Sequence, residues 1–257
     1  MPIPLSPKAV LLFDIDGVIR DVGGSYRRAI VETVHHYSGT RPSPDSIDAL
    51  KSEGCWNNDW EASLELLRRG GHNALPSFEA LVEVFNGFYF GGDPEGDPSD
   101  WQGFIGSEPL LVEASFFSNL SGAGVAWGFV SGAEPPSARF VLETRLGLNN
   151  PPLIAMGDAP DKPDPTGFLR LAGELASPSV PVAYLGDTVA DVITVQRARA
   201  QQPQQQFISL AVAPPHLQQP EAAQRRRSYE QQLLGAGADR VIACTTAVLE
   251  ALEQALD

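Results

Sequence analysis

Apolar residues in this chain gather into short continuous runs instead of alternating with polar ones. Five runs stand out: Ala9 to Phe13, Val125 to Val130, Leu153 to Met156, Val180 to Leu185 and Phe207 to Val212, each ending in polar residues or glycine. A strand that is apolar at consecutive positions is covered on both faces, as in a parallel sheet sandwiched between helices. Helical patterns fill the intervals between the later runs. Phe140, Val141, Leu142 and Leu146 recur at helical spacing from Ser137 to Leu148, and Gly147 brings that helix to a stop. Asp164 and Pro165 read as the N-cap and first residue of a helix through Leu175. Strands alternating with helices predict an α/β fold with a doubly wound, Rossmann-like parallel sheet.

One interval breaks this alternation. Between Tyr26 and Ile105 the pattern is helical throughout: Tyr26 to Tyr37, Ser43 to Lys51, Trp60 to Arg69, and Ser77 to Phe90 with Ser77 as its N-cap. The Gly-, Pro- and Asp-rich piece Gly91 to Pro98 reads as a loop leading back to the core. The expected division is therefore an α/β core of residues 1–20 and 106–257, with residues 21–105 inserted as an α-helical domain.

Charge narrows the partners. The 257 residues carry a formal charge of -14 and a sequence pI near 4.6, so the overall field repels nucleic acid and anionic membrane surfaces. An anionic substrate must then be held by local positive charge. Lysine is scarce: Lys8, Lys51 and Lys162 stand against fifteen arginines. Cys55 and Cys244 lie far apart and outside any metal-ligand spacing, which favours reduced thiols. Ala9 to Phe13 is too short to cross a bilayer, so a soluble, cytoplasmic protein is expected. The Gln-rich stretches Gln201 to Gln206 and Pro214 to Gln219 read as exposed connections, and Arg225 to Arg227 as a solvated helix face.

The chemistry lies at the strand ends, where open α/β sheets bind their ligands. After the first run come Asp14 and Asp16, one residue apart and succeeded by Gly17, a pairing suited to a nucleophile beside an acid/base at a metal. After Val130 come Ser131 and Gly132, which offer a hydroxyl and backbone N–H groups to phosphate oxygens, or simply form a turn. The loop after Met156 carries Lys162 among Asp158, Asp161 and Asp164 and between prolines, the setting of a charge clamp. After Leu185 come Asp187 and Asp191, four apart, with Asp187 also suited to cap the next helix.

Asp/Asp, Ser, Lys and Asp/Asp at four successive strand ends is the motif series of the haloacid dehalogenase-like hydrolases. The chain resembles that superfamily across nearly its full length, including a helical insertion after the first motif, as in the phosphoglycolate phosphatase and β-phosphoglucomutase branch. It also resembles it in the closing stretch Gly235 to Ile242. The resemblance implies a Mg²⁺-dependent phosphatase acting on a small phosphorylated metabolite. Asp14 would be the nucleophile that forms an aspartyl-phosphate and Asp16 the general acid/base. Asp14, the Asp16 carbonyl, Asp187 and Asp191 would serve the metal, and Ser131, Gly132 and Lys162 the phosphoryl oxygens.

The resemblance makes the insertion a cap domain over the catalytic core, and Arg20 beside it with Tyr26 to Arg28 and the cluster Trp56, Asn57, Asn58, Asp59 and Trp60 within it are candidates for meeting the substrate. The alternative for the cluster is Trp in the cap core with Asn and Asp capping a helix. Two further readings stay open: a sugar phosphomutase of the β-phosphoglucomutase type, and a non-catalytic binding or regulatory module on the same fold. Asp16 speaks against haloacid dehalogenation, whose enzymes do not use a second aspartate there. Phosphonate hydrolysis would need a Schiff-base lysine in the cap, for which Lys51 is the sole candidate.

Overall fold

A computed structural model describes residues 7–56, 58–72 and 74–256. It divides into two compact units, one formed by Met1–Asp21 with Leu110–Asp257 and the other by Val22–Pro109.

The first unit is an α/β layer structure. Its sheet contains β1 (Ala9–Phe13), β2 (Val125–Val130), β3 (Leu153–Ile154), β4 (Val182–Gly186), β5 (Phe207–Val212) and β6 (Arg240–Ile242), in the order β3-β2-β1-β4-β5-β6, with every pairing parallel. The unbroken apolarity of β1 has a direct cause. Ala9, Leu11 and Phe13 enter one buried cluster while Val10 and Leu12 enter another on the opposite face, so a period of two is satisfied with apolar residues at every position.

Two strand ends differ from the sequence pattern. Leu153 to Met156 was expected to pair throughout, but the Ala155 N–H donates to the Asp158 carboxylate (2.9 Å) and the Met156 N–H to the Ala133 carbonyl (3.0 Å), which takes the chain out of the ladder. β4 begins at Val182 because Pro181 has no N–H to give. β6, only three residues long at the sheet edge, did not stand out as an apolar run.

The second unit is helical: α1 (Tyr26–Ser38), α2 (Pro44–Ser52), α3 (Asp59–Arg69) and α4 (Phe78–Tyr89). Ser43, Asn58 and Ser77 accept backbone N–H bonds at the starts of α2, α3 and α4, and so set where those helices begin. Ile30, Val34, Leu50, Leu66, Leu81 and Phe85 form its buried interior, and Tyr26 stacks on Tyr89 with ring centroids 4.0 Å apart. This unit ends at Pro109 rather than Ile105. Arg28 lies over the Phe104 ring, and Ser25 and Tyr89 both donate to the buried carboxylate of Glu108.

The remaining helices belong to the first unit: α5 (Ala114–Gly122), α6 (Pro135–Arg139), α7 (Thr166–Leu175), α8 (Val189–Gln201), α9 (Ala223–Ala236) and α10 (Val248–Leu256). The helix read from Ser137 starts at Pro135, and its second half, Phe140–Arg145, widens into a π-helix before Gly147 ends it at φ 67°. Asp164 lies one position short of the N-cap of α7, bonding the Thr166 N–H from the preceding turn (2.9 Å). No described helix is long and apolar enough to cross a membrane.

Candidate functional site

The chain reverses its direction of travel across the sheet between β1 and β4, so their carboxyl ends border a crevice, the usual ligand position in open α/β sheets. Asp14 leaves β1 there, and Asp187 and Asp191 come after β4. Oxygens of these three buried carboxylates lie within 4.8 Å of one another. Close approach is possible because two glycines leave room. A Cβ on Gly17, held at φ 74°, would sit 1.9 Å from Asp187 Oδ2, and one on Gly186 would sit 2.3 Å from the Asp191 Cβ.

Lys162 joins the cluster from the loop after β3. Its Nζ lies 2.9 Å from Asp14 Oδ2 and 2.6 Å from Asp191 Oδ1, and it donates to the Tyr184 hydroxyl at 3.1 Å. Asp191 is secured from its other side, where Thr188 donates to Oδ2 through both its N–H (2.9 Å) and its hydroxyl (2.6 Å). Thr188, not Asp187, is therefore the N-cap of α8, closing a capping box with Asp191.

The charges do not balance. Burial is the main force raising the Asp14 pKa to about 6; Lys162 opposes it, while Asp191 and Asp16 add to it. Asp187 is pushed well above the usual carboxylate range by burial and by the charges of Asp14 and Asp191. Burial also acts to raise Asp191, but the charge and hydrogen bond of Lys162 with the bonds from Thr188 outweigh it and hold that carboxyl low. For Lys162, burial favours the neutral amine, yet the charges of Asp14 and Asp191 prevail and keep it an ammonium.

This arrangement suits a hard divalent cation. Among the described residues no hydrogen-bond donor serves the Asp187 carboxylate, although that residue is only 8% exposed. A buried carboxylate without a donor, in an oxygen-only ligand set, could hold such a cation.

The other expected residues have distinct positions. Asp16 Oδ1 accepts a 2.6 Å ion-paired bond from Arg20 Nε. Arg20 was expected to meet substrate, but it is fully enclosed at 0% exposure, and its guanidinium anchors Asp16 instead. Ser131 is buried just beyond β2, its hydroxyl oxygen accepting the Ala133 N–H (3.2 Å), and open space surrounds Gly132 where a Cβ would stand.

In the helical unit, Asn58 Oδ1 caps α3 by accepting from the Trp60 and Glu61 N–H groups. Trp60 packs edge-on against Phe78 and Phe85, and the half-buried Trp56 donates to Glu53 Oε2 (2.8 Å). Asn58 and Trp60 thus take the capping and packing positions of the alternative reading. Asn57 lies outside the described residues. Lys51 forms an ion pair with Asp59. Near the start of α1, Gly23, Gly24, Arg27 and Arg28 border a cavity of about 300 Å³.

Sequence reasoning missed Tyr184. Its hydroxyl donates to the Val130 carbonyl (2.7 Å) and also lies 3.1 Å from Asp191 Oδ1. A signal was available: a tyrosine inside an aliphatic buried strand must find a partner for its hydroxyl.

The chain belongs to the haloacid dehalogenase-like hydrolase family, whose model matches residues 8–199. A protein of Phytophthora nicotianae named imidazoleglycerol-phosphate dehydratase is 31% identical over 199 residues, which make up 76% of this chain and 42% of that protein. The chain thus spans less than half the length of this relative.

Among solved structures, the fold is similar to a phosphonoacetaldehyde hydrolase like protein from Oleispira antarctica (TM-score 0.68, 16% identity, 99% of this chain and 94% of that one). It is similar also to a hydrolase from Pseudomonas syringae (TM-score 0.65, 17% identity, 96% and 98%). A third is phosphatase Tt82 from Thermococcus thioreducens (TM-score 0.60, 21% identity, 78% and 92%).

Proposed function

We propose that this protein is a Mg²⁺-dependent phosphatase that hydrolyses a small phosphorylated metabolite through an aspartyl-phosphate at Asp14. The observation that carries this reading is the buried cluster of Asp14, Asp187, Asp191 and Lys162 at the β1/β4 crevice.

An Asp14 carboxylate oxygen attacks phosphorus, the bond from phosphorus to the substrate oxygen breaks, and Asp16 gives its proton to the departing alkoxide. Water then attacks phosphorus, Asp16 takes the water proton, and the bond to Asp14 breaks to release phosphate. Arg20 keeps Asp16 turned to one side of this path by holding one of its oxygens. Lys162, Ser131 and the backbone N–H groups beside Gly132 hold the phosphoryl oxygens, so an acidic protein accommodates an anion by local charge. Asp14, Asp187, Asp191 and the Asp16 carbonyl would hold Mg²⁺, which when bound supplies charge screening between the nucleophile and the phosphate.

We assign selection of the leaving group to the inserted unit, with Arg27 and Arg28, which border a cavity of that unit, as the residues to test for it. The test is a phosphomonoester panel with Mg²⁺, including sugar phosphates and imidazole-bearing esters, assayed with the wild type and with Asp14→Asn. Release of inorganic phosphate that falls by about 10³-fold or more in Asp14→Asn, with the fold intact, is the expected result. Undiminished turnover in the variant would remove Asp14 from the mechanism. Isomerisation of a sugar phosphate without net phosphate release would replace hydrolysis by phosphoryl transfer back to a bound intermediate.

A further inference from the structure

The contacts of the Lys162 ammonium include Asp14 Oδ2, Asp191 Oδ1 and the Tyr184 hydroxyl. Two are carboxylates that the proposed chemistry already uses. The third belongs to a side chain whose location is set by the core, since Tyr184 is 1% exposed, pairs edge-on with Phe168 at 5.6 Å and stands in the middle of β4. Its single proton goes to the Val130 carbonyl at 2.7 Å, the shorter of its two acceptor contacts, which leaves its oxygen to receive from Lys162. One phenol therefore links the end of β2, just before Ser131, to the Lys162 loop and to the start of α8.

We infer that Tyr184 is the positioning residue of this site. It holds the Lys162 ammonium between Asp14 and Asp191 and ties that placement to the strand that presents Ser131. A lysine side chain on a loop is otherwise free to rotate its long stem, and a neutral acceptor fixed in the core gives it a third anchor beside the two carboxylates. Of these acceptors Tyr184 is the neutral one, so it places the ammonium without adding negative charge to the cluster.

This inference rests on the roles proposed above for Asp14 and Lys162, so its main test does not require turnover. The chain has three lysines, and the side-chain ammonium spectrum of ¹⁵N-lysine-labelled protein accordingly contains three signals to assign. In the wild type the Lys162 ammonium protons should exchange with water about tenfold or more slower than those of Lys8, which is about half exposed. Tyr184→Phe should abolish most of that protection and lower kcat for an aryl phosphate about tenfold, with KM changed less than about twofold. Phe168→Leu, which loosens the same packing without touching the hydroxyl, should lower Tm yet leave the ammonium signal and kcat in place.

A Lys162 signal that exchanges as fast as Lys8 in the wild type overturns the inference. So does one equally protected in Tyr184→Phe, or a Phe168→Leu variant that loses as much protection as Tyr184→Phe. Loss of the phosphatase reading is seen separately, as turnover indifferent to Asp14→Asn.

Discussion

The two units of this protein treat charge in opposite ways. In the sheet unit Asp14 is raised to about 6, because burial and neighbouring carboxylates penalise its charge more than Lys162 relieves it. In the helical unit Glu65 is lowered to about 2 by hydrogen bonds from Arg68 and then Arg69, and Arg69 also binds Glu53. Both residues are carboxylates beside cations. Glu65 has what it needs from Arg68 and Arg69 of its own helix, and Arg69 joins α3 to Glu53 in the segment before it. Asp14 and Asp187 do not, and charge held at a cost inside a fold marks a place where another cation or a reaction supplies the balance. On the function proposed above, chemistry belongs to the sheet unit and choice of substrate to the helical one.

Changes at the crevice should separate sharply from changes in the helical unit. Lys162→Met removes the only ammonium among the clustered carboxylates of the described residues and should lower kcat by about 10² to 10³-fold, measured on an aryl phosphate that makes few demands on selectivity. Gly17→Ala forces a Cβ against Asp187 at a position with φ 74°; a loss of about 10 to 100-fold in kcat is expected, with about 1–2 kcal/mol lost in denaturant melts.

Metal should stabilise the fold in a pH-dependent way. Because the folded Asp14 pKa is raised from 3.8 to about 6, its contribution to stability is complete below pH 3.8 and is lost as pH rises through about 6. Asp187 shifts in the same direction. The gain in Tm on adding saturating Mg²⁺ should therefore be larger at pH 7.5 than at pH 5, by about 5 °C in differential scanning fluorimetry. An equal gain at both values would detach these carboxylates from the metal. The smallest effect belongs to Arg28→Ala, which should change aryl phosphate turnover less than about threefold while reordering rates across a metabolite panel. A uniform loss across that panel would break the division of labour between the units.

Position along strands was the legible part of the sequence. Asp14, Lys162, Asp187 and Asp191 all stand in the segments just past an apolar run, and a parallel sheet delivers successive strand ends to one edge. Arg20 was misread since nothing in a linear pattern distinguishes an arginine that faces solvent from one enclosed beside Asp16. Tyr184 went unnoticed because apolar runs are scored by their bodies, and a phenol counts as apolar until its hydroxyl partner is known. The Trp56 to Trp60 cluster had two readings in the sequence. Asn58 now caps α3 and Trp60 fills the helical interior, contacts that depend on Phe78 and Phe85 from a helix well separated in the chain.

Covalent phosphorylation of Asp14 is the central claim, and it can be trapped directly. Acid quenching during turnover, then borohydride reduction and peptide mass spectrometry, converts an aspartyl-phosphate to homoserine and reports its position. The predicted result is homoserine at residue 14, dependent on both substrate and Mg²⁺ and absent from Asp14→Asn. Steady turnover with an unmodified Asp14, or with the label on another carboxylate, would contradict it.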